Sequence, residues 1–160
     1  MGSHTARLTS LTQWSKEHIQ RIFESPTDHA SMRAVEETFA HDLDATVNGK
    51  NITLEDIKQS VLSIRSGSNR SGLRVQWHQT VEAPTDPTNE QGSFGGTYSI
   101  EGIWQHRPGD RTPTFYTRHK TVIVRIEPRP VATSDSRKIV HLAFVAADIP
   151  KVEMDEGRRQ

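Results

Sequence analysis

Residues 44–64 read DATVNGKNITLEDIKQSVLSI. Ala45-Thr46-Val47 is a short β-like run, and Asn48-Gly49 after it is a turn signal. Thr53 opens a helix, with Asp56 three residues later in the spacing of a capping box. Leu54, Ile57, Val61, Leu62 and Ile64 supply the apolar face of that helix.

Upstream, Leu8, Leu11, Trp14 or Ser15, His18, Ile19, Ile22 and Phe23 recur at helical steps. They predict a first helix from Ser10 to about Ser25, capped by Ser10 or Thr12 and ended by Pro26. Asp28 or Ser31 caps a second helix. Its stripe is Met32, Val35, Phe39 and Leu43, with Glu36, Glu37 and Asp42 outward.

Downstream, Gly67, Ser68, Ser71 and Gly72 break the helical pattern, and the period changes to two. Leu73, Val75, Trp77, Gln79 and Val81 alternate with Arg74, Gln76, His78, Thr80 and Glu82, which predicts a half-buried strand. A Pro/Gly-rich loop is expected from Pro84 to Gly96. Further strands follow at about Thr97–His106, Thr114–Glu127 and Lys138–Asp148. Three helices followed by long hairpin strands predict an α+β domain, with the helices on one face of a curved antiparallel sheet.

The chain has 160 residues, which fits one ordinary domain. Cysteine is absent, so no disulfide, thiolate metal site or cysteine nucleophile is expected. Lys plus Arg and Asp plus Glu number 20 each, a balance without the footprint of a nucleic-acid binder. No apolar run is long enough for a membrane span, and the N-terminus does not read as a signal peptide. A cytoplasmic location is expected. Residues 1–7, with Gly2-Ser3-His4, read as a tag scar or flexible start, residues 8–150 as the domain and 151–160 as a flexible polar tail. The sequons at Asn51 and Asn69 read as chance matches.

The order of elements, carried by Phe39–Ile64 and by the hairpin strands from Thr97 to Asp148, resembles the nuclear transport factor 2-like superfamily. That superfamily includes the SnoaL-like cyclases and the ketosteroid isomerases. The resemblance covers about Leu8 to Pro150. It implies a cone of cystatin-like topology with a cavity for a small hydrophobic ligand, and often a homodimer formed through the sheets. Ketosteroid isomerases carry a catalytic Asp just after the short strand. Here Asn48-Gly49 stands in that place, and neither can take a proton from carbon.

A turn centred on Gly109-Asp110-Arg111 sets Trp104 near Tyr116 and Glu101 near His119. A one-residue slip reverses such assignments. One face then carries Trp104, Tyr116, Val122 and Val124, a broad apolar surface read as a dimer interface. The other carries Glu101, Phe115 and His119, with Trp77 joining it. Glu101 and His119 form the suggested acid–base pair, against the plainer reading of an exposed ion pair. Trp77, Phe115 and an inward His141 are the expected ligand contacts.

No His-Glu-x-x-His spacing, Gly-x-Ser-x-Gly elbow or phosphate loop occurs, so no metal or cofactor is expected. Two functions stay open. The first is a SnoaL-like small-molecule-binding protein, as a cofactor-free isomerase, cyclase or dehydratase. The second is a non-catalytic homodimeric interaction module that uses its sheet surface.

Overall fold

The computed structural model describes residues 8–68, 72–105, 108–109, 111–130 and 135–150. The expected tag scar and polar tail lie outside them, as does the Asn69 sequon. Helix α1 (Leu11–Glu24) is capped by Ser10, whose hydroxyl accepts from the Gln13 N–H at 3.0 Å, and it stops before Pro26. Helix α3 (Leu54–Ser66) has the full capping box. Thr53 Oγ1 accepts from Asp56 N at 3.1 Å, and Asp56 Oδ2 accepts from Thr53 N at 2.9 Å.

Helix α2 (Asp28–Thr38) differs from expectation at both ends. Its cap is Thr27, which accepts from Ala30 N, not Asp28 or Ser31. Ser31 is buried and donates to the Ile22 carbonyl of α1. The helix also ends at Thr38 rather than running to Leu43. Strand β1 (Phe39–Val47) takes over, because Phe39 and residues 44–47 pair with the last strand. Helical periodicity at Phe39 and Leu43 loses to ladder hydrogen bonds formed far along the chain.

The remaining strands are β2 (Lys50–Ile52), β3 (Arg74–Pro84), β4 (Gly92–Gln105), β5 (Thr114–Pro128) and β6 (Arg137–Pro150). Their order in one six-stranded sheet is β2-β1-β6-β5-β4-β3. All neighbours run antiparallel except β1 and β6, which are parallel, so the sheet is not wholly antiparallel as expected. β4 starts at Gly92, inside the stretch read as a loop. Gly95 and Gly96 are strand residues, and a Cβ on Gly96 would sit 3.1 Å from the Trp77 ring.

One side of the sheet is covered by the helices. Cross-strand rungs on it are Phe94–Val124–Leu142, Gly96–Val122–Phe144, Tyr98–Lys120–Ala146 and Ile100–Arg118–Asp148. Ile22, Phe23, Val35, Ile57, Val61 and Ile64 pack from the helices onto this side and form one core with it. Each such side chain contributes ~1.5–3 kcal/mol on burial. The side holding Phe94, Tyr98, Ile100, Val122, Val124, Ile126 and Leu142 therefore outcompetes the one holding Val81, Ile123, Val145 and Ile149.

Bulges set which residues reach which side. The β3–β4 register shifts between Trp77 and Gln79, and the β4–β5 register between Ile100 and Ile103. Each extra residue sends the following side chains to the opposite face. The second bulge places Gly102 at φ +94°, and a Cβ there would lie 2.4 Å from the Gly72 carbonyl oxygen. Gly102→Ala is expected to cost ~1–3 kcal/mol from this backbone conformation and contact. Urea unfolding checks it, and an unchanged midpoint would remove the bulge as a constraint.

Candidate functional site

Between α1, α3 and the covered side of the sheet lies a cavity of about 350 Å³. Ile19, Ile22, Phe23, Phe39, Ile57, Val61 and Ile64 line it from the N-terminal half, and Val122, Ile139, Leu142 and Phe144 from the sheet. The exposed residues Asp56, Ser60 and Asp148 mark its rim. Its polar groups are Tyr98, Arg118, Lys120, Asp148, Asn48, Asp56 and Ser60. Among the described residues no group of three or more His, Asp or Glu side chains is placed to hold a metal ion.

Lys120 is the unusual group. It follows Val124 and Val122 in the inward alternation of β5, so an amine occupies a core position of the strand. Its Nζ lies 4.6 Å from the ring centre of Phe144, 5.1 Å from that of Phe23 and 5.7 Å from that of Tyr98. These distances are in the range of cation–π attraction. No carboxylate of the described residues lies within ion-pair distance of Nζ, and no acceptor among them hydrogen-bonds to it. Burial, and secondarily the Arg118 charge, push the amine down to about 7, against a partial lift from Asp148. The same burial raises the Tyr98 phenol well above its ordinary value.

One rung along, Arg118 donates from Nε to Asp148 Oδ1 at 2.6 Å and from an Nη to Oδ2 at 2.9 Å. These hydrogen bonds hold the Asp148 carboxyl below its usual value. The guanidinium thus has its own carboxylate partner, and Lys120 has none among the described residues.

Asn48 has a structural task at the rim. Its Nδ2 donates to the Ala146 carbonyl at 3.1 Å, and its Oδ1 accepts from Ala146 N at 2.9 Å. The two bonds clamp the β1–β2 turn to β6, at a residue with φ +51°. A carboxylate could not make both, since it has no donor.

The structure does not bring the predicted pair together. Glu101 stands at the bulge opposite Arg74, while His119 is exposed opposite Ser99 and Ala147. Trp104 lies opposite Phe115 and Tyr116 opposite Ile103, one residue from the expected register. Tyr116, Val122 and Val124 do share a face, but the helices cover it. Val122 and Val124, expected at a dimer interface, are only 3% and 1% exposed and sit in the core beneath the helices. Tyr116 is half-buried against the same core, and half-buried Trp104 packs edge-on against Phe115 at 5.0 Å.

Of the expected ligand contacts, Phe115 and His141 are exposed, and His141 lies 3.2 Å from Asp44 across β1 and β6. Trp77 does lie on the covered side, against Phe94 and Tyr98, but outside the cavity wall. The missed residue is Lys120. A signal for it existed: Arg118 and Lys120 continue the alternation of Val122 and Val124, so charge enters the face that must be buried.

No family model and no curated protein sequence matches the chain. Solved structures do. LinA has a TM-score of 0.58 at 11% identity, with 89% of this chain and 93% of that chain covered. A ketosteroid isomerase-like protein from Erwinia carotovora atroseptica SCRI1043 scores 0.51 at 11% identity, covering 89% and 97%. A chain of Mex67:Mtr2 with bound Sac3N peptide scores 0.52 at 12% identity, covering 85% and 96%. The likeness is one of fold: the chain has the nuclear transport factor 2-like cone that its sequence resembles. No helix among the described residues is long and apolar enough to cross a membrane.

The depressed amine makes a prediction about stability. Lys120 titrates at about 7 folded, against an ordinary 10.5 when unfolded. Between these values the unfolded chain binds the extra proton, so stability rises with pH. Urea unfolding at pH 7, 8 and 9 should show that rise, and Lys120→Met should flatten it. Equal slopes in the two proteins would contradict the placement of the amine.

Proposed function

We propose that this is a SnoaL-like small-molecule-binding protein that performs cofactor-free proton transfer on an apolar substrate inside the cone. Lys120 is the base. The observation that carries the reading is an amine held in an apolar cavity without a carboxylate partner among the described residues. A neutral amine near pH 7 can take a proton from carbon or oxygen, and a catalytic group works best when its pKa lies near the working pH. The cavity is of the size and character of small-ligand sites. Arg118, fixed by Asp148, adds a positive field beside the amine that favours charge developing on a substrate oxygen. The role suggested for Glu101 and His119 passes to this group, since His119 is outside the cone and Glu101 is not on the cavity wall.

The test uses two probes. The neutral fluorophore N-phenyl-1-naphthylamine should bind saturably, and Ser60→Trp at the rim should weaken it. 5-Nitrobenzisoxazole, which opens when a base removes its carbon-bound proton, should be turned over with a rate rising through pH 7. Lys120→Met should reduce that rate by at least ~100-fold, the usual scale of general-base catalysis. Equal rates in both proteins would sink the proton-transfer reading.

We further propose that the chain pairs with a second copy through the uncovered face of the sheet. Val81, Ile123, Val145 and Ile149 are 70%, 63%, 63% and 51% exposed there. The rungs Val81–Gly95–Ile123–Ala143, Gln79–Thr97–Thr121–Val145 and Ser99–His119–Ala147 contain no Lys, Arg, Asp or Glu. A central patch without fixed charge, bordered by Arg125 and Glu127, suits the self-complementary contact of a two-fold dimer. Ile123→Glu should convert a dimer to a monomer in analytical ultracentrifugation. A wild-type monomer at high concentration would refute the pairing.

A further inference from the structure

We propose that Lys120 forms a reversible imine with an apolar aldehyde or ketone held in the cone. This rests on the reading of the cavity as a substrate site and names the substrate class. Three observations carry it. Lys120 is the only lysine among the described residues lining the cavity. Other lysines are engaged elsewhere: Lys58 pairs with Glu36, and Lys138 donates to the Glu36 carbonyl. The space around Nζ is walled by Phe23, Tyr98 and Phe144.

Each wall contributes to the chemistry. Apolar side chains keep the local water content low, which favours the step that expels water. The three π faces that attract an ammonium also attract an iminium, so the product keeps the contacts of the free side chain. Nothing among the described residues pins Nζ by a hydrogen bond, so its lone pair is free to turn toward a bound carbonyl carbon. Arg118 cannot compete as a nucleophile, since a guanidinium stays protonated and this one is held by Asp148. Desolvation in an apolar pocket is a known way to make a lysine nucleophilic, and the lowered pKa of Lys120 agrees with it.

The step balances without an oxidant or reductant. The Nζ lone pair adds to the carbonyl carbon, and the carbonyl oxygen takes up a proton. The carbinolamine then releases that oxygen as water, as nitrogen loses its second hydrogen and forms the C=N bond. The sum is amine plus carbonyl giving imine plus one water. A proton on the imine nitrogen makes the C=N group an electron sink and acidifies the C–H bond on the carbon next to it, whose loss gives an enamine. That change would assist an isomerisation or dehydration in the same cavity.

The experiment is reductive trapping. The full chain is mixed with equimolar cinnamaldehyde, and sodium cyanoborohydride converts any imine to a stable secondary amine. Intact-mass and peptide analysis should show one adduct per chain, on Lys120, formed at least ~tenfold faster than on any surface lysine, whose amine is almost wholly protonated at pH 7. N-Phenyl-1-naphthylamine should suppress it. Lys120→Met and Lys120→Arg should both lack the adduct. The arginine variant keeps the charge, so a folded arginine protein guards against a folding artefact.

No adduct at Lys120, or adducts spread evenly over surface lysines, would overturn the inference. If 5-nitrobenzisoxazole is still opened in that case, the inference falls and the proton-transfer reading stands. An adduct without opening has the opposite consequence, keeping the imine and removing the base. Failure of fluorophore binding, opening and trapping together would remove both.

Discussion

Helices α1, α2 and α3 cover one side of a curved sheet, and the cavity, the half-buried Lys120 on its wall and the uncovered outer face all follow from that contact. Strands β4, β5 and β6 meet the helices with the rungs Phe94–Val124–Leu142 and Gly96–Val122–Phe144. Ile22, Phe23, Ile57, Val61 and Ile64 complete that core. Burial of these side chains sets the parity of the strands, and parity then decides the place of every other residue along them. Lys120 and Arg118 are carried to the same side because they lie two and four residues before Val122.

The two ends of this side serve different purposes. Towards Phe94 and Ile126 the side chains are buried and lie outside the cavity wall. Towards Tyr98, Lys120 and Asp148 the helices stand off and space remains. Arg118 and Asp148 satisfy each other at the rim, which lets two charges sit at the edge of an apolar space at tolerable cost. Lys120 has only aromatic faces near its amine among the described residues. An unpaired amine in such a place lowers stability near neutral pH, as strained or destabilised groups at functional sites do. The clamp from Asn48 to Ala146 fixes the turn beside it, so a position associated in related folds with a catalytic carboxylate serves here to hold the rim.

The structural neighbours show how little the fold says about activity. One is a ketosteroid isomerase-like protein, and another is seen with a bound peptide. Function on this scaffold has to be argued from side chains. In this chain those side chains are Lys120 within the cavity and the aliphatic residues of the outer face.

The sequence by itself determined the class of fold, the bounds of α1 and α3, the capping box at Thr53 and the presence of long strands. Each of these is a local signal, readable from a cap, a proline or a period. It also marked Asn48-Gly49 as unfit for carbon-acid chemistry. Tertiary structure alone decided that α2 yields to β1 at Phe39, that β1 and β6 run parallel, and which face of the hairpin strands is buried. The bulge at Glu101-Gly102 moved the register by one residue. With a side-chain period of two, that single residue turned Ile103 into the core in place of Trp104. Glu101 and His119 were separated because His119 pairs with Ser99, and Val122 and Val124 went to the core because the helices cover their face. A bulge of this kind depends on the close approach of the Gly72 backbone to Gly102, a contact between distant parts of the chain. No periodicity within one strand can report it.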